Sequence, residues 1–194
     1  MPSPIAHTSI AMALWPATAR KLRGTPARGR IIILGATLVT LVAADFDILT
    51  GSIFGSGPFV DHGGPTHSFV AAAIWAMAFA TVLSIATRAM HWTTFWMLGF
   101  IAYGSHIMLD AFTFGRGVRM FWPFLADRIA SPLPIFAGVR HSTPASIVDH
   151  TLTIATELLF ALLVWRVTAW WYQRGYYDSQ EQPSASDKEQ SVAS

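Results

Sequence analysis

The sequence predicts an all-α fold, a polytopic membrane bundle of four to five membrane helices, and three observations lead there. The 194-residue chain is 53% hydrophobic and only 12% charged, with mean hydropathy +0.43, which is too apolar for an ordinary soluble domain. Its apolar residues run in stretches close to the ~20 residues that a bilayer's hydrocarbon core requires. Its basic residues gather at the ends of those stretches, where topology accounts for them.

The elements follow in chain order. Residues 5–19 are apolar but short: about 15 residues at ~1.5 Å each cover roughly 22 Å, so this segment either spans a thinned bilayer or re-enters. Arg20, Lys21, Arg23, Arg28 and Arg30 come after it, whereas a secretory signal carries its basic residues in front. The segment is therefore kept in the mature fold. Residues 31–48, 68–87, 92–114 and 147–172 are each long enough to span. Together they define a helical membrane domain over 1–177, followed by a polar tail at 178–194 whose Ser, Gln, Asp and Glu content predicts disorder.

Basic residues orient the bundle. With the cluster at 20–30 and Arg88 in the cytoplasm, residues 50–66 and 115–146 face outward, and the last helix returns Arg166 and Arg174 inside. The chain is expected to be a multi-pass membrane protein in contact with bilayer lipid. Arg116, Arg119, Arg128 and Arg140 run against this orientation. They are also candidate anion contacts, since a guanidinium recognises phosphate through two parallel hydrogen bonds.

On that topology the outer layer collects His7, Asp45, Asp47, His62, His67, His106 and Asp110 from distant segments. Ionisable groups at membrane depth are costly and mark function. Imidazole with carboxylate, in a chain of zero cysteines, is the donor chemistry of a hydrolytic metal centre and excludes thiolate zinc, iron–sulfur clusters and disulfides. His106 and Asp110 are one helical turn apart and share a face. Asp45 and Asp47 are two apart and in a continuous helix would not, so they serve different ions or straddle a frayed helix end. That favours two or more divalent ions, zinc first, with manganese or magnesium as alternatives. A divalent ion lowers the pKa of coordinated water from 15.7 to about 7, and a second ion can hold the attacking and leaving oxygens. Asp61 and Asp149 are the candidate general bases, and the sequence does not select between them.

The motif order carries a resemblance. An early His, Asp45-Phe46-Asp47-Ile48, His62-Gly-Gly-Pro-Thr-His67-Ser68 and His106-Ile-Met-Leu-Asp110 resemble the YdjM-like family of predicted inner-membrane metal-dependent hydrolases, over about residues 4–125. Those proteins carry a DxD at a helix end, a His-Arg-Gly-x-Thr-His-Ser element and a HxxxD, and are similar at a distance to zinc-dependent phospholipase C and the single-strand nucleases of its fold. Gly63 stands here where that family usually has arginine. The resemblance implies a polynuclear metal site, zinc above all, that attacks a phosphoester or related ester of a lipid-like or membrane-proximal small-molecule substrate. No nucleic-acid partner is expected.

Each residue also has a plainer role open to it. His7 or His62 alone would serve as an interfacial hydrogen-bonding group, and His106 with Asp110 as a polar pair joining helices at roughly 1 kcal/mol. Asp45 and Asp47 would end a helix, and His91 beside Trp92 would anchor the opposite interface. His141 and His150, with Asp149, are candidates for a further metal position or for none. Glu157 lies two turns below His150, as an orienting group for a ligand or a packing acid. Residues 120–125 and 132–136 are aromatic and proline-broken, which suits an interfacial loop above the site, and the Trp and Tyr residues from 165 to 177 form a belt at the other face. A non-catalytic metal-binding membrane protein or a transporter is the alternative to a hydrolase. Many transporters show inverted repeats, which the sequence lacks.

Overall fold

The computed structural model describes residues 4–22, 24–53, 62–88, 91–138 and 147–180. Among them every regular element is helical: α1 (Pro4–Lys21), α2 (Ala27–Thr40), α3 (Phe46–Ile53), α4 (Phe69–Thr87), α5 (Trp92–Ala111) and α6 (Ile147–Gln180), with 3₁₀ turns at Ala43–Asp45 and Pro65–His67. Arg140, His141 and the tail at 181–194 lie outside the described residues.

Among the described residues two helices are long and apolar enough to cross a membrane, Phe69–Thr87 and Ile147–Arg174. The pair Ala27–Thr40 and Ala43–Ile53, bent by 52° at its break, makes a third if it is one span. This is fewer than the four to five expected from sequence, and the reason is compositional. α5 carries His106 and Asp110 in its last turns, and α1 carries His7, Ser9, Thr18 and Pro16, so neither is apolar throughout.

α4 and α5 form the central antiparallel hairpin, which α1 and α2 pack against, while α6 lies on α1. Small residues allow the close approach. Ala72, Ala76 and Ala80 recur every four residues on α4, each fully buried, and Gly99 of α5 leaves room for Phe79 and the Ala76 backbone. Two apolar clusters fill the bundle's ends. Leu22, Ile33, Phe79, Leu83, Phe95 and Leu98 close one end, and Ala43, Ala44, Ala72, Tyr103, Ile107 and Val118 lie beneath the other. Ile74, Val82, Ile85, Leu158, Leu159 and Leu163 point outward, as lipid-facing side chains do.

Residues 112–138 fold over the second end without forming a strand. Their backbone is satisfied by isolated pairings: Val118 and Ile129 exchange bonds of 3.0 and 2.8 Å, and Ser131 N donates to Ala111 O at 2.7 Å, taking up a carbonyl at the end of α5. Arg119 N donates to Gly63 O and Phe69 N to Met120 O, both at 3.0 Å, which ties this cap to the turn preceding α4.

Candidate metal centre

Helix direction brings the predicted donors to one end. α1 starts there with His7, α2 ends there before Asp45, α4 begins there after His67, and α5 ends there with His106 and Asp110. The helical path breaks after Thr40. Asp45 closes a 3₁₀ turn and Asp47 sits in the first turn of α3, so the two carboxylates face different partners. Ser68 fixes the other approach: its Oγ accepts from Ala71 N at 3.1 Å as the N-cap of α4 and donates to Pro65 O at 2.7 Å, closing the turn that presents His67.

Asp45, His67, His106 and Asp110 offer ligand atoms that all lie within 4.8 Å of one another. His67 Nε2 is 3.6 Å from Asp45 Oδ1 and 3.0 Å from Asp110 Oδ2; His106 Nε2 is 3.3 and 3.4 Å from the same two atoms. Ligands about 2.1 Å from a tetrahedral ion stand about 3.4 Å apart, so these separations have the right size. Asp47, His62 and His67 form a second such group. His7 is fully buried, stacked on His106 with ring centroids 3.8 Å apart, and its Nε2 is 3.8 Å from Asp110 Oδ1.

The hydrogen bonding around the cluster fits a cation. His7 Nδ1 and Nε2, Asp45 Oδ1, His67 Nε2, His106 Nε2 and both Asp110 oxygens are buried without a hydrogen-bond partner. Such atoms are expensive to bury unpaired, and here they converge. His106 Nδ1 donates to Leu41 O at 2.8 Å, which leaves the Nε2 lone pair facing the cluster, the usual arrangement of a metal-ligating imidazole. Burial opposes a charge on His67, but Asp110, Asp45 and Asp47 around its ring hold its pKa well above the ordinary imidazole value.

The expected residues are not all brought together. Asp61 lies outside the described residues. Asp149 is half-buried in the first turn of α6, with His150 exposed beside it, and neither belongs to a ligand group among the described residues. Glu157 is fully buried on α6, and His91 is exposed at the start of α5. Two of the arginines expected as anion contacts bind backbone: Arg116 donates to His62 O at 2.8 Å, and Arg128 Nη1 to the carbonyls of His62, Gly63 and Gly117 at 3.1 to 3.2 Å, whereas Arg119 Nε is buried without a hydrogen-bond partner. Gly63 suits this turn chiefly by its backbone, since a Cβ would first meet the flexible end of the Arg128 side chain. Its φ is +74° and a Cβ there would lie 2.7 Å from Arg128 Nη1.

Thr66, the Leu41 carbonyl and Tyr103 escaped the sequence reading. Thr66 Oγ1 donates to Asp47 Oδ2 at 2.8 Å and is 3.1 Å from His67 Nδ1, while Tyr103 donates to Thr66 O at 2.9 Å. A hydroxyl directly before His67 is a signal in the sequence; a backbone carbonyl leaves none.

Apolar helices and a buried set of imidazoles and carboxylates with the donor chemistry for a metal ion define the class: an all-helical membrane protein with a candidate metal centre at one end. The chain matches the YdjM inner membrane protein family over residues 1–177 and belongs to it. No curated protein and no solved structure matches the chain.

Proposed function

We propose that this protein is a membrane-embedded metal-dependent hydrolase that cleaves a phosphoester or related ester of a lipid-like substrate at the outer leaflet of the inner membrane. The observation that carries the reading is the convergence of unpaired, buried donor atoms on Asp45, His67, His106 and Asp110, without sulfur. A divalent cation there supplies Lewis acidity at neutral pH. The chain's own residues hold it: Asp110 and the two imidazoles are almost fully enclosed, while the Asp45 side chain is 20% exposed and marks the side from which a substrate enters.

The rim supports a lipid-like substrate. Phe121, Trp122, Phe124, Leu125, Leu133 and Ile135 are exposed on the cap, and Phe121 packs beside Phe69 at the start of α4. An apolar rim next to a polar centre suits a molecule held by its chains in the bilayer and presenting its ester to the ion. Asp61, which precedes His62 in the sequence, or Asp149, at the head of α6, is the carboxylate proposed for proton transfer. In this reading α1 and α5 complete the membrane-embedded bundle through their buried polar faces, giving four to five membrane helices.

Metal quantification on detergent-purified protein, with a panel of phosphoesters, tests the proposal. The expected result is retained divalent metal and ester cleavage, both lost in His106→Ala and Asp110→Ala. Asp61→Asn and Asp149→Asn are expected to keep the metal, and the one that loses turnover is the base. Unchanged metal in both ligand variants refutes the site. Metal without cleavage of any ester leaves a non-catalytic metal-binding protein.

A further inference from the structure

We propose that Asp47 is a positioning residue that aims His62 and His67 at one cation held by Asp45, His67, His106 and Asp110, and that it is not a ligand of a second ion. The inference rests on the metal-site reading above and deepens it. Two groups of donors share His67, and two separate ions are the obvious interpretation. Three features of the geometry favour one ion.

First, the hydrogen-bonding geometry differs. His62 Nδ1 and Asp47 Oδ1 are 2.8 Å apart in hydrogen-bonding geometry, whereas the four separations in the other group run from 3.0 to 3.6 Å without forming hydrogen bonds. Atoms that bond one another through a proton are short and aligned; atoms that share an ion are held apart by it.

Second, the Asp47 carboxylate is already satisfied. Oδ1 takes His62 Nδ1–H, and Oδ2 accepts from Thr66 Oγ1 at 2.8 Å. The unpaired buried carboxylate oxygens belong to Asp45 and Asp110.

Third, a neutral imidazole has one lone pair and one N–H. His67 Nε2 faces Asp110 and Asp45, so a ligating His67 keeps its proton on Nδ1. That proton meets Thr66 Oγ1 at 3.1 Å and Asp47 Oδ2 at 3.3 Å. Thr66 donates onward to Asp47, which makes a chain from His67 through Thr66 to Asp47 and commits Nδ1 as a donor. His62 is set the same way: Nδ1 is fixed by Asp47, and Nε2 lies 3.9 Å from Asp45 Oδ1 on the open edge of the centre. A carboxylate behind a ligating histidine fixes its tautomer and raises its basicity, and losing one typically weakens metal affinity 10- to 100-fold.

The test is metal stoichiometry and affinity on the detergent-solubilised full chain titrated with zinc, with the absorption spectrum of the cobalt-loaded protein as a second readout. Wild type, Asp47→Asn and Thr66→Val are each expected to hold one ion per chain. The dissociation constant should rise about 10- to 100-fold in Asp47→Asn and by less in Thr66→Val, with Asp47→Glu recovering part of the loss. Asp45→Asn is expected to lose the ion, and the cobalt bands should persist, shifted, in Asp47→Asn. Two ions in wild type falling to one in Asp47→Asn overturns the positioning role and leaves the metal-site reading standing. Wild type that takes up no metal overturns both.

Discussion

His67 joins the two donor groups, and its surroundings set how the centre responds to pH. Its raised pKa means that without metal the ring stays protonated above the usual imidazole range, held by the carboxylates around it. A cation can bind Nε2 only after that proton leaves. Affinity is therefore expected to fall as the pH is lowered and to keep rising through and beyond pH ~6.5, with about one proton released from His67 per ion bound. Calorimetry of zinc binding in buffers of different ionisation enthalpy measures the release, and a binding heat independent of the buffer would contradict it. That these imidazoles and carboxylates gather at one end was legible in the sequence, because each lies at the same end of its apolar stretch. Their division of labour was not. Asp45 and Asp47 look alike in Asp-Phe-Asp-Ile, and only the break after Thr40, which turns one carboxylate into the unpaired cluster and the other toward His62 and Thr66, separates them.

Among the elements, α4 and α6 were legible because length and apolarity decide them. α5 was read as a span from a composition that its own site residues dilute, and the sharing of α2 and α3 across a 52° bend was foreshadowed only by the spacing of the two aspartates. The α4–α5 contact had no motif to announce it beyond alanines four apart. It nevertheless positions the site, since it sets the distance between the turn carrying His67 and the last turn of α5 carrying His106 and Asp110. Gly99→Leu is expected to force these helices apart: its Cβ alone would stand 2.8 Å from Phe79 and 3.3 Å from the Ala76 backbone. Overpacking of this kind costs roughly 1–3 kcal/mol. Met97→Leu, two residues away on an exposed position, is expected to cost well under that. Thermal unfolding in detergent compares the two, and equal losses would show that the small-residue contact does not govern the hairpin.

For the molecule as a whole, the two ends differ in what their arginines do. Arg20, Arg28, Arg30 and Arg88 are exposed at the end away from the centre, free of the backbone carbonyls that engage the others and placed where the positive-inside rule counts charges. Arg116 and Arg128, at the opposite end, are bound to the carbonyls of His62, Gly63 and Gly117 and hold the cap onto the turn that carries His62 and His67. Their presence there has a structural cause, so it weighs less against an outward-facing site than the sequence alone suggested. The absence of cysteine makes the orientation directly measurable, because a single introduced thiol is the chain's only target. Leu133→Cys, 78% exposed on the cap, is expected to react with a membrane-impermeant maleimide in intact cells from which an outer barrier has been removed. Ala27→Cys, exposed at the start of α2, is expected to react only after lysis. The reverse pattern would place the centre in the cytoplasm, and a substrate drawn from the outer leaflet would no longer reach Asp45.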